Sequence, residues 1–92
     1  MQGKTIHAED GETRRVSNQW AAECEQRGAT VSSSTWAGTP TLGAVTLAGT
    51  LATALITPTA DGYIKNTVVL SNGETLVNER SIDVIGRLIQ IV

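Results

Sequence analysis

The chain has 92 residues, a net charge of −2, a single cysteine and no phenylalanine. That length suits one small domain, the charge offers no electrostatic case for binding nucleic acid, and a lone Cys24 excludes an internal disulfide or a thiolate metal cluster. No run approaches the roughly 20 apolar residues of a membrane-spanning helix, and the polar start lacks the apolar segment of a secretion signal, so the expected place of synthesis and assembly is a cytoplasm.

Residues 1–16 are polar, with Lys4, His7, Glu9, Asp10, Glu12, Arg14 and Arg15. They are expected to form an N-terminal arm, distinct from a domain over 17–92. One short strand fits at 4–7, and Asp10-Gly11 is a turn signal. This stretch reads either as a loosely held arm or edge strand, or as an arm that orders against a neighbouring subunit. Residues 17–28 are the one helical candidate. Ser17 can cap the start, and Gly28 can sit just past the end. Val16, Trp20 and Cys24 fall at four-residue spacing on one helical face. On that face Trp20 docks the helix on a sheet, and Cys24 reads as a packing residue rather than a nucleophile.

Residues 29–36 are β-prone, with Val31 and Trp36 as apolar anchors of opposite parity; a bulge in the intervening serines would turn both inward. Gly38-Thr39-Pro40 is a turn. A strand follows over 41–47, with Leu42 and Val45 as its apolar positions, then a turn at Ala48-Gly49. Residues 51–57 form another strand, with Leu51 and Leu55 on one face and Ile56 on the other. A loop over 58–62 leads to Tyr63.

The hairpin signal lies between Tyr63 and Val84, where two β-rich runs flank Asn72-Gly73. A two-residue loop would set Lys65 opposite Arg80, a like-charge pair. A three-residue Ser71-Asn72-Gly73 loop, with Gly73 left-handed, sets Lys65 opposite Glu79 and Val68 opposite Leu76, and is preferred. Ile64, Val68 and Leu70 then share a face with Leu76, Ile82 and Val84. The chain ends Arg-Leu-Ile-Gln-Ile-Val over 87–92. Leu88, Ile89, Ile91 and Val92 would make a poor solvated edge. They read either as a last strand buried in its own domain or as a strand packed on another subunit.

Turn signals every 8–12 residues with short strands between them predict an all-β, immunoglobulin-like antiparallel β-sandwich with one short helix near the N-terminus. Asp61-Gly62-Tyr63 is similar to a tyrosine corner. The expected core is Trp20, Val31, Trp36, Leu55, Tyr63, Val68, Leu76 and Ile82.

Little in the sequence suggests chemistry. His7 is the sole histidine, with no carboxylate or serine tied to it by spacing. There is no Gly-x-Ser-x-Gly elbow and no phosphate-binding glycine loop. One His and one Cys cannot build a structural zinc site. Glu23 with Glu25, and Glu9 with Asp10, read as solvated surface. Asp61 beside Asn66 falls short of the six to eight oxygens calcium takes. No enzyme activity and no cofactor are expected. Arg14 and Arg15 read as a solvated or interface pair rather than a phosphate reader.

Trp20, the run Gly28-Ala29-Thr30-Val31-Ser32-Ser33-Ser34-Thr35-Trp36, Gly62-Tyr63 followed by Asn66-Thr67-Val68, and Asn78-Glu79-Arg80-Ser81-Ile82 together resemble the small immunoglobulin-like virion proteins of tailed phages, of the fiber–tail adaptor type. The likeness covers about 20–84. The polar arm and the apolar ending depart from it, and those are the regions that would set the partner. The resemblance implies a multicopy virion component without a cofactor, joining a tail tube or nozzle to a fiber. Its partners would be other virion proteins and copies of itself, not nucleic acid or membrane. Arg14, Arg15, Leu88, Ile89, Ile91 and Val92 are the candidate interface residues. A capsid decoration protein is the alternative. A carbohydrate-binding sandwich ranks lower, because Trp20, Trp36 and Tyr63 are its only available aromatics and all are claimed for the core.

Overall fold

A computed structural model describes residues 5–85. Among them lie, in chain order, β1 (Ile6–Glu9), β2 (Arg14–Gln19), α1 (Ala21–Arg27), β3 (Val31–Gly38), β4 (Thr41–Ala48), β5 (Leu51–Thr57), β6 (Gly62–Leu70) and β7 (Thr75–Ile85). The strands form two sheets, one ordered β1-β7-β6-β3 and the other β2-β5-β4. Packed face to face, these match the G-F-C and B-E-D strand orders of the immunoglobulin fold, with the first strand added beside the last. All pairings are antiparallel except β1 with β7, which is parallel.

The β6–β7 hairpin forms as the charge argument requires. Lys65 pairs with Glu79 and Val68 with Leu76, the loop is Ser71-Asn72-Gly73, and Gly73 has φ +92°. The Leu70 amide donates to the Glu74 carbonyl at 2.8 Å, closing the ladder at the loop. Ile64, Val68, Leu70 and Ile82 are buried on the inner face, with Leu76 and Val84 half-buried beside them. In β3 the register slips between Val31 and Ser33, so the bulge does bring Val31 and Trp36 to the same face. A second slip, between Leu42 and Val45 of β4, does the same for those two residues.

Several expectations need correction. Residues 6–9 and 14–16 are edge strands rather than a loose arm: they belong to β1 and β2, each outermost in its sheet, with Ala8 and Val16 buried. The helix does not begin at Ser17. Val16, Asn18 and Trp20 are buried while Ser17 and Gln19 are exposed, a period of two. Six residues of β2 pair with β5, and that ladder outweighs the short helical repeat. Helix α1 starts at Ala21, whose amide donates to Gln19 Oε1 at 3.0 Å. It ends as expected at Gly28 in the left-handed region. Trp20 and Cys24 still pack together, but from a strand end and a helix rather than from one helical stripe.

Leu55 is also corrected. It shares the outer face with Leu51 and Thr53, while Ala52, Ala54 and Ile56 are the fully buried residues of β5. Choosing between the two faces needed the identity of the covering sheet. Tyr63 is not core either, being 39% exposed. The tie expected of a tyrosine corner is made by backbone instead: Tyr63 N–H donates to Thr39 Oγ1 at 3.2 Å, and Thr39 N–H donates to the Tyr63 carbonyl at 3.0 Å. That close approach needs Gly38, where a Cβ would collide with the Tyr63 carbonyl and come within 2.9 Å of Ile64 Cα.

The core is in two parts. Val16, Ala54, Ile56, Ile64 and Ile82 form one cluster, and Trp20, Cys24, Ala52, Val68 and Leu70 the other. Trp36 packs against both. Each fully buried large aliphatic contributes about 1.5–3 kcal/mol.

Candidate functional site

Between the two clusters runs a buried polar chain. Asn66 points inward from β6 and Asn18 from β2, and both are buried. Asn78 Nδ2 donates to Asn18 Oδ1 at 2.8 Å. Asn18 Nδ2 donates to Asn66 Oδ1 at 3.1 Å, which also accepts from Trp20 Nε1 at 2.9 Å. Asn66 Nδ2 donates in turn to Ser34 Oγ at 2.9 Å and the Thr35 carbonyl at 3.0 Å. The chain therefore reaches β7, β2, β6 and β3. It joins β2 to β6, the strand pair that antibody domains bridge with a disulfide. Each buried amide is satisfied, so the network fixes how the two sheets face each other.

Among the described residues the sandwich is open along both sides. On one side β3 and β4 are the outermost strands of their sheets. Leu42, Val45 and Leu47 of β4 are in register with the buried Ile56, Ala54 and Ala52, yet they remain 37–50% exposed. Their inner face overhangs β3, leaving a groove of about 320 Å³ lined by Ser33, Ser34, Trp36, Val45, Thr46 and Leu47. Trp36 is half-buried there, and its Nε1 is covered without a hydrogen-bond partner. Neither β3 (Val-Ser-Ser-Ser-Thr-Trp-Ala-Gly) nor β4 (Thr-Leu-Gly-Ala-Val-Thr-Leu-Ala) holds a charge or a proline.

On the opposite side β1 and β2 are outermost. A groove of about 490 Å³ lies between them, lined by Thr5, Ile6, His7, Arg14, Arg15, Val16, Ser17 and Arg80. Arg14 donates from Nη1 to the His7 carbonyl at 3.0 Å and lies 3.7 Å from Glu12. Exposed ion pairs of this kind contribute about 0–1 kcal/mol. His7 Nδ1 is 3.4 Å from Asp83.

The sequence-predicted interface residues fare unequally. Arg14 and Arg15 are exposed and brought together on one groove. Leu88, Ile89, Ile91 and Val92 lie outside the described residues. The sequence reading missed Arg80, although a signal was present. Once Leu76 and Ile82 face inward, strand alternation carries Asn78 and Arg80 inward too, as it carries Asn66 between Ile64 and Val68. Asp61 and Asn66 do not converge as a cation pair would: Asp61 Oδ1 accepts from the Val84 amide at 2.7 Å, while Asn66 is committed inside. Cys24 is buried. No group of three or more His, Cys, Asp or Glu side chains is placed to hold a metal among the described residues.

No family model matches the chain, and no curated protein matches it.

Proposed function

We propose that this protein is a structural component of a phage virion, a fiber–tail adaptor that joins its neighbours through added strands at its open sandwich side. The observation that carries the reading is the uncharged β3/β4 side with its overhanging Leu42, Val45 and Leu47. Edge strands of solitary domains are normally blunted by charges, proline or cover, because bare edges recruit other chains. Strand addition uses such an edge for affinity and the exposed side-chain pockets for specificity. The resemblance of the Gly28–Trp36 and Asn78–Ile82 segments to small immunoglobulin-like virion proteins supplies the setting. Recurrence of one interface around a rotation axis would make a ring at the tail.

The test is localisation in purified particles with an antibody to the chain, read by electron microscopy, with a Leu47→Asp variant beside the wild type. Label at the junction of tail and fiber, lost in a folded Leu47→Asp variant, is the expected result. Label over the capsid shell would favour a decoration protein instead. Label nowhere on the particle would end the virion reading.

A further inference from the structure

The groove between β1 and β2 differs chemically from the β3/β4 side and does not enter the reading above. Arg80 stands on the inner face of β7, paired in register with the buried Ile64. Its Nε is covered and has no hydrogen-bond partner. A guanidinium offers five donors, accepts nothing and stays charged at any ordinary pH. Among the described residues, β1 meets β7 first at Ile6 opposite Ile82, so that pairing stops short of Arg80. Arg14 and Arg15, exposed at the start of β2, line the same groove. Arg14 is partly compensated by Glu12. Arg15 and Arg80 have no carboxylate within ion-pair distance among the described residues. The rest of the chain offers none from a side chain: residues 1–4 are Met-Gln-Gly-Lys, and 86–92 are Gly-Arg-Leu-Ile-Gln-Ile-Val.

We propose that this groove receives an extended acidic segment of a partner protein, one carboxylate of which meets Arg80 through its two Nη groups. Two parallel N–H···O bonds match that edge of a guanidinium to the two oxygens of a carboxylate. Arg14 and Arg15 lie at the mouth to steer and hold flanking acidic residues. An extended segment fits because the groove is walled by two strands that are the outermost of their sheets. A long polyanion such as nucleic acid fits poorly, since the chain as a whole carries −2.

The experiment uses the full chain and a strand-like probe, an alternating Val-Glu octapeptide, with the Val-Gln octapeptide as neutral control. Side-chain Nε–Hε signals of arginine are followed by NMR during titration. A saturable shift of the Arg80 signal is expected, with Arg27 as an internal reference because it pairs with Glu74 at 3.3 Å outside the groove. Raising salt from about 50 mM to about 500 mM should weaken binding, because the groove mouth is solvated. Arg80→Gln should weaken it by roughly thirtyfold or more. Arg80→Lys keeps the charge but loses the paired N–H donors of the guanidinium, and should weaken it about tenfold. If Arg80→Gln fails to fold, the wild-type titration and Arg80→Lys carry the test. Equal shifts with the Val-Gln peptide, an unmoved Arg80 signal, or unchanged affinity in Arg80→Lys would each overturn the proposal. So would inorganic phosphate binding as tightly as the Val-Glu peptide, which would make the groove a general anion site.

Discussion

Replacing Asn66 by alanine would test whether the inter-sheet polar chain holds the two sheets in place. Asn66 is 0% exposed and takes part in four hydrogen bonds. The substitution leaves Trp20 Nε1 and one Asn18 Nδ2 hydrogen without their acceptor, both on buried side chains. A buried donor stripped of its partner costs about 1–3 kcal/mol. Ser34 and Thr35 lie nearer the open side, where water can replace Asn66, so they add little. Partial relaxation around the small cavity keeps the sum below the simple maximum, and the expected loss is about 3–5 kcal/mol. Against a typical total of about 5–15 kcal/mol, that is a large fraction. The melting temperature should fall by about 12–40 °C, at roughly 4–8 °C per kcal/mol for a domain of this size. Guanidinium denaturation followed by tryptophan fluorescence gives the number directly. A loss below about 1 kcal/mol would refute the reasoning, because it would mean that water already satisfies these groups. A double-mutant cycle with Asn18→Ala should show strong coupling, since the two amides share a bond.

Trp36→Ala should cost about 2–4 kcal/mol by the same titration, below the full range for tryptophan because one side of the ring faces the open groove. Trp36→Phe removes the covered Nε1 donor that lacks a partner, and should stay within about 1 kcal/mol of wild type. Gly38→Ala should destabilise by at least about 2 kcal/mol, read as a lower denaturation midpoint, since its Cβ meets the backbone of Tyr63 and Ile64. Gly28→Ala has open space around it but φ +61°, so its cost should be about 1 kcal/mol, from backbone strain alone. A reversed order between these two glycine variants would contradict the close approach of β3 and β6. Leu47→Asp should leave stability within about 1 kcal/mol, as its side chain is already more than a third exposed.

Local rules in the sequence determined the strands from β3 onward, the left-handed ends at Gly28 and Gly73, and the hairpin register. The reasons are short-range: turn residues tolerate φ values others do not, and a like-charge pair of Lys65 with Arg80 discriminates between adjacent registers. The same alternation already placed Asn66, Asn78 and Arg80 on the inner face, though their polarity argued the other way. What only the tertiary structure decided was which partner each surface meets. Residues 6–16 look like a solvated arm until β7 and β5 supply ladders for them. Ser17 looks like a helix cap until Val16, Asn18 and Trp20 turn together toward the opposite sheet. Leu55 and Ile56 are equivalent in sequence until one face of β5 is covered. Burial and pairing depend on segments far apart in the chain, and no local pattern specifies which of two faces will be covered.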